Sequence, residues 1–112
     1  MSQPFLDRLE ALVKRYLPED PNLECKHFFS GAALYAHGTI RVSLSPVGLA
    51  FKLPEIMCTD LIDSGAATHL RYFEKSPVKK GYALFSHYEE LSDGDTAKYL
   101  RAAVAHARPA NA

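Results

Sequence analysis

Thr39-Ile40-Arg41-Val42-Ser43-Leu44-Ser45-Pro46-Val47-Gly48-Leu49-Ala50-Phe51-Lys52-Leu53 is the stretch that decides the fold. On either side of Ser45–Gly48 the apolar residues recur at every second position. Ile40, Val42, Leu44, Leu49, Phe51 and Leu53 face one way and Arg41, Ser43 and Lys52 the other, the period of a half-buried β-strand. Proline at the second and glycine at the fourth position of Ser45-Pro46-Val47-Gly48 specify a type I turn. The segment is therefore a hairpin with one face toward a core.

Working outward, two further strands precede it, residues 23 to 29 and 32 to 36. His37-Gly38 between the second and third strands is a tight turn of the kind that needs positive φ. Before them, Phe5, Leu9, Leu12, Val13, Tyr16 and Leu17 recur at three- and four-residue spacing with charges between, an amphipathic helix with Ser2 as its expected N-cap, stopped by Pro18 and Pro21. After the hairpin, Pro54 opens a second helix carrying Met57, Leu61 and Ile62, which Gly65 ends. Residues 70 to 73 and 82 to 85 read as short strands around a polar, basic loop, Glu74 to Gly81. Ser92 or Asp93 caps a last helix with Ala97, Leu100, Val104 and Ala107 as its buried stripe, and residues 108–112 read as a frayed tail. The order α-β-β-β-β-α-β-β-α, with hairpins rather than helical crossovers, predicts an α+β two-layer sandwich: an antiparallel sheet with helices on one face.

The 112 residues suit a single domain spanning residues 1–112, and a chain of this size buries roughly 65% of its unfolded surface without needing a metal or disulfide. Cys25 and Cys58 stand 33 residues apart without Cys-x-x-Cys spacing and read as reduced structural thiols. Charge appears at Asp7 and Arg8, so the start does not resemble a signal peptide, and no apolar run approaches the ~18 residues of a membrane span. A cytoplasmic protein without membrane contact is the expectation. Thirteen Lys+Arg balance 13 Asp+Glu. That neutrality weighs against nucleic-acid binding, which draws its affinity from a net basic surface, and leaves it only a local patch.

No motif points to catalysis, a metal or a cofactor. His27, His37, His69, His87 and His106 lack ligand spacing; Ser30, Ser43 and Ser86 lack a Gly-x-Ser-x-Gly elbow; Gly31, Gly38 and Gly48 are spaced as hairpin glycines and not as a phosphate loop. Cys25 and His27 share a strand face, a pairing that burial explains more simply than nucleophilic chemistry.

Lys26-His27-Phe28-Phe29-Ser30-Gly31-Ala32-Ala33-Leu34-Tyr35-Ala36-His37-Gly38 resembles the signature of TfoX amino-terminal domains, in which a basic residue precedes Met-Phe-Gly-Gly, and an aromatic, a glycine, Leu-Tyr and a turn Asp-Gly follow. The resemblance continues through Leu49-Ala50-Phe51-Lys52-Leu53, Tyr72-Phe73, Lys80-Gly81-Tyr82 and the alanine-rich closing helix. Phe28 stands in place of Met, Ser30 in place of the first glycine, Ala32-Ala33 in place of aromatic-Gly and His37 in place of Asp, the pattern of a divergent member. The resemblance implies a fold similar to type III secretion chaperones and YjbR-like proteins. It also implies a regulatory or protein-interaction module without the second, carboxy-terminal domain of the family's competence regulator.

Two sets of residues are candidates for function. Lys26, Arg41 and Lys52 fall on the non-core face by alternation, and with Lys80 and its basic neighbours they form a candidate anion-binding patch. Lys26 and Lys80 also match basic positions of the resembled family. Phe28, Tyr35 and Tyr72 belong to a surplus of strand aromatics, which points to a protein partner or to self-association through a sheet face or edge. The leading expectation is a non-enzymatic interaction module. The alternative is a binder of, or enzyme for, a small anionic ligand.

Overall fold

A computed structural model describes residues 3–71 and 75–105. Ser2, Tyr72, Phe73, Glu74, His106, Ala107 and the tail therefore lie outside the described residues, together with the expectations placed on them. Helix α1 (Gln3–Tyr16) is followed by strands β1 (Leu23–Phe28), β2 (Gly31–Ala36), β3 (Thr39–Ser45) and β4 (Gly48–Lys52), helix α2 (Glu55–Asp63), strands β5 (Thr68–Leu70) and β6 (Lys79–Phe85), a 3-10 turn (Tyr88–Glu90) and helix α3 (Asp93–Ala105). The strands form one antiparallel sheet in the order β1-β2-β3-β4-β6-β5. This is the α+β architecture expected, with helices gathered over one face.

The core lies between that face and the helices. Leu34, Val42, Leu44, Leu49 and Phe51 from the sheet meet Leu9 of α1 and Leu100 of α3, all with no solvent exposure. Phe51, Phe85 and Tyr99 close the centre as an aromatic triad with centroids 5.3 to 5.8 Å apart. Helix α1 lies over β1–β3, α3 over β3 and β4, and α2 against β5 and β6. Ser92 caps α3 as the sequence suggests, its Oγ accepting the Asp95 amide at 3.0 Å.

Geometry demands glycine at both ends of β2. A side chain at Gly31 would sit 2.1 Å from the Leu44 carbonyl oxygen, so only glycine lets β2 approach β3 there. In the β2–β3 turn His37 and Gly38 both have positive φ, 53° and 78°, the type I′ geometry that matches strand twist.

Three differences from the sequence reading have physical causes. The β2–β3 ladder slips between Leu34 and Tyr35: Leu34 pairs with Val42 but Tyr35 pairs with Ile40, which leaves Arg41 as the extra residue of a β-bulge. A bulge inverts the parity of alternation, so Arg41 turns to the helix side and Ile40 joins Tyr35 on the other. Second, β5 spans Thr68–Leu70, starting two residues ahead of the expected strand, whose residues 72 and 73 lie outside the described residues, while β6 begins at Lys79, where a loop was expected, because Leu70 pairs with Lys79. Ladder pairing overrides the low strand propensity of consecutive lysines. Third, the face that carries no helix among the described residues is not a washed surface. Lys26, Ala33, Ser43, Ala50, Leu84 and Thr68 lie in one row across the six strands, and Ala33, Ser43 and Ala50 are at most 1% exposed. Ala50, Leu70 and Leu84 form a second, smaller core with Val47 and Tyr82 against them.

Candidate functional site

The four candidate cations do not converge. Arg41 is 7% exposed and caps α3: its Nε donates to the Ala103 carbonyl at 2.7 Å and a terminal nitrogen reaches the Lys52 carbonyl at 3.4 Å. Ala103 lies in the last described turn of α3, where carbonyls carry the negative end of the helix dipole, so a guanidinium suits the position. Burial pulls its pKa down, with nearby Tyr82 acting in the opposite sense. Arg41 is therefore a structural group on the core side, and the alternation that placed it on the open face fails at the bulge.

Lys26 and Lys52 do remain on the helix-free side, and each lies over a tyrosine. The Lys26 Nζ stands 5.0 Å from the Tyr35 ring centre and the Lys52 Nζ 5.1 Å from that of Tyr82. Such cation–π pairs hold an ammonium over an apolar body while leaving it hydrated. Lys26 also meets Glu24 of its own strand at 3.4 Å. Strands β1 and β4 are three strand spacings apart, about 14 Å, so the two lysines flank the row of Ala33, Ser43 and Ala50 and do not share one small anion. Tyr82, the partner of Lys52, entered the sequence reading as one of the strand aromatics and not as a site residue; the signal that pairs it with Lys52 is the cross-strand register that sets the two opposite each other.

Lys80 lies elsewhere, on a groove of about 700 Å³ between α2 and the β5–β6 pair, whose lining includes Cys58, Glu55, Asp63, His69 and Lys79. The two carboxylates offset the two lysines there. Cys58 forms the floor and donates its thiol hydrogen toward the carbonyls of Gly81, at 3.3 Å, and Leu53, at 3.6 Å. Burial pushes its pKa up, with the Leu53 contact and Lys52 acting against the shift. A protonated thiol pointed at carbonyl oxygens is a clasp between α2 and the sheet, and not a nucleophile.

Cys25 is half-buried in a second groove, about 600 Å³, between α1 and β1, beside Val13, Leu17 and Leu23. Burial, aided by Glu10, pushes its pKa up to about 11, so at neutral pH it too is a thiol. Among the described residues no three His, Cys, Asp or Glu side chains gather to hold a metal.

Of the aromatic candidates, Tyr35 carries Lys26, Phe28 is half-buried, and Tyr72 lies outside the described residues. Phe28 packs against Phe29 as a tilted pair with ring centres 4.5 Å apart, and Phe29 is the ring presented to solvent, 68% exposed with a φ of 52° at the β1–β2 turn. Positive φ is costly for a bulky side chain, and alternation could not announce it because a turn residue has no strand parity. No helix among the described residues is long and apolar enough to cross a membrane. No family model, curated protein or solved structure matches the chain.

Proposed function

We propose that this chain is a non-enzymatic regulatory or protein-interaction module of TfoX amino-terminal type. The observation that carries the reading is the pair of lysine-on-tyrosine units, Lys26–Tyr35 and Lys52–Tyr82, on a helix-free sheet face with a tightly packed floor. Tyrosine rings with an apolar body and a polar rim are the composition that protein contacts favour. The groups that chemistry would need are engaged in packing: Arg41 on α3 and Cys58 on the Gly81 carbonyl. The test is quantitative affinity capture from the native host with the wild-type chain and a Tyr35→Ala/Tyr82→Ala variant as baits. A protein retained by the wild type and lost by the variant supports the reading; equal recovery by both refutes it.

A second reading, a small-anion binder, has one observation in its favour: Lys79 and Lys80 on the groove that His69 also lines. Thermal-shift titration with phosphate, nucleotides and carboxylates decides it. A stabilisation abolished by Lys79→Ala/Lys80→Ala supports the site, and no shift with any of them removes it.

A further inference from the structure

We propose that β1 is the seam of a two-fold homodimer, in which a second copy of this chain pairs antiparallel along Leu23–Phe28 with Cys25 on the axis. The proposal rests on the interaction-module reading only in naming the partner. Among the described residues β1 is an edge of the sheet, and edge strands present backbone groups to any matching strand.

The ladder geometry says which groups face outward. The His37 amide donates to the Asn22 carbonyl at 3.0 Å, so residue 22 points its carbonyl toward β2. Alternation then turns the amides and carbonyls of residues 24, 26 and 28 inward, as the two-residue turn between Phe28 and Gly31 also requires. Cys25 turns its amide and carbonyl away from β2, to the open side.

Side-chain charge then selects one register. A two-fold pairing centred on residue 24 would set Glu24 directly against Glu24 of the second copy, and one centred on residue 26 would set Lys26 against Lys26. Like charges directly opposite destabilise a sheet. The register centred on Cys25 alone sets Glu24 against Lys26 of the second copy, twice, and does so at the closely spaced, non-hydrogen-bonded positions. It also makes Cys25 a hydrogen-bonded pair in which each amide donates to the other carbonyl. The existing Glu24–Lys26 contact does not oppose this exchange, because both side chains are more than half exposed and an exposed pair holds little energy. The groove between α1 and β1 lies along the same edge; beside the apolar Val13, Leu17 and Leu23 its lining carries Glu10, Glu19 and Asp20 against Lys14, so the choice of register rests on Glu24 and Lys26 and not on the groove.

The test is analytical ultracentrifugation of the whole chain from about 1 to 500 µM. The wild type is expected to dimerise. Glu24→Lys or Lys26→Glu alone turns both cross-axis attractions into repulsions and should weaken the dimer at least tenfold, by about 0.7 kcal/mol per pair. The combined swap restores complementarity and should return the constant to within about threefold of wild type. Cys25→Pro removes the outward amide without touching a β1–β2 hydrogen bond, and should leave a monomer with the wild-type circular dichroism spectrum. A wild type that stays monomeric, or a dimer indifferent to these charges, overturns the proposal. A monomer that still captures a different protein overturns it while leaving the interaction-module reading standing.

Discussion

Replacing Arg41 by alanine tests the bulge, the cap and the reassignment of this residue together. In the wild type the guanidinium satisfies the Ala103 carbonyl at 2.7 Å, in a helix residue with no solvent exposure, so water cannot take its place. A hydrogen bond from a charged donor contributes about 1.5–3 kcal/mol, and removing the donor leaves the carbonyl with the full desolvation penalty. The side chain is itself 7% exposed, so its methylene stem also loses packing, and the release of a buried charge offsets part of the loss. The net expectation is about 3 kcal/mol, which in a chain of 112 residues lowers Tm by roughly 12 °C. Arg41→Met keeps the stem and loses the bonds, and should cost about 1–2 kcal/mol. Arg41→Lys keeps the charge but not the fork that also reaches the Lys52 carbonyl, and should cost a similar amount. Urea unfolding gives the energies, and hydrogen exchange at residues 102 to 105 shows whether the loss is centred on the last turn of α3. An alanine variant within about 0.5 kcal/mol of wild type, or a methionine variant more stable than wild type, would refute the reasoning by showing that the buried charge costs more than the cap returns.

Two glycines separate steric need from backbone need: Gly31→Ala places a methyl 2.1 Å from the Leu44 carbonyl oxygen and should cost more than about 3 kcal/mol, whereas Gly38→Ala meets open space and should cost only about 1 kcal/mol for its positive φ. Both are read by chemical denaturation. Ser92→Ala removes the Asp95 amide's acceptor and should destabilise by about 1 kcal/mol, whereas Ser92→Asp should retain most of the cap. The Cys25 thiol makes stability depend on alkaline pH. Below pH 9 both the folded and unfolded thiols are protonated and nothing is lost; between pH 9 and about 11 the unfolded thiol ionises while the folded one does not, so stability falls. Two pK units correspond to at most about 2.7 kcal/mol, and about half of that once solvent screening of a half-buried group is allowed for. Cys25→Ala should flatten this part of the stability profile, and an unchanged slope would show that other groups cause it.

The hairpin from Thr39 to Leu53 was legible because Val42, Leu44, Leu49, Phe51 and Leu53 share one face of a single period, and its two-residue turn adds no residue that disturbs it. The helices were legible for the same reason, at a period of 3.6. Arg41 was not. Ile40-Arg41-Val42 satisfies perfect alternation as a string, yet the bulge opposite Leu34 and Tyr35 resets the parity, and only the register of the neighbouring strand contains that information. The start of β6 was lost differently: Lys79 and Lys80 carry the composition of a loop, and their strand pairing comes from Leu70 across the ladder. The candidate anion patch inherited both errors. It needed Arg41 on the open face and Lys80 beside it, and the fold sets one under α3 and the other over α2.

The balance of 13 cations and 13 anions acquires a sharper meaning from these placements. Arg41 is committed to a helix end, and Lys52 lies over Tyr82. Lys26 lies over Tyr35 in the same way, but it alone of the three also sits two residues from Glu24 on an edge strand, with its charge still exposed. Opposite charges at alternate positions of an edge repel a shifted copy of themselves and attract a copy in the one register that crosses them. A surface of uniform sign could not tell one register from another, since it would repel its own copy in all of them. Local neutrality on β1 is thus the condition for self-recognition, and the combined Glu24→Lys/Lys26→Glu swap, which leaves net charge unchanged, isolates that condition from any effect of charge itself.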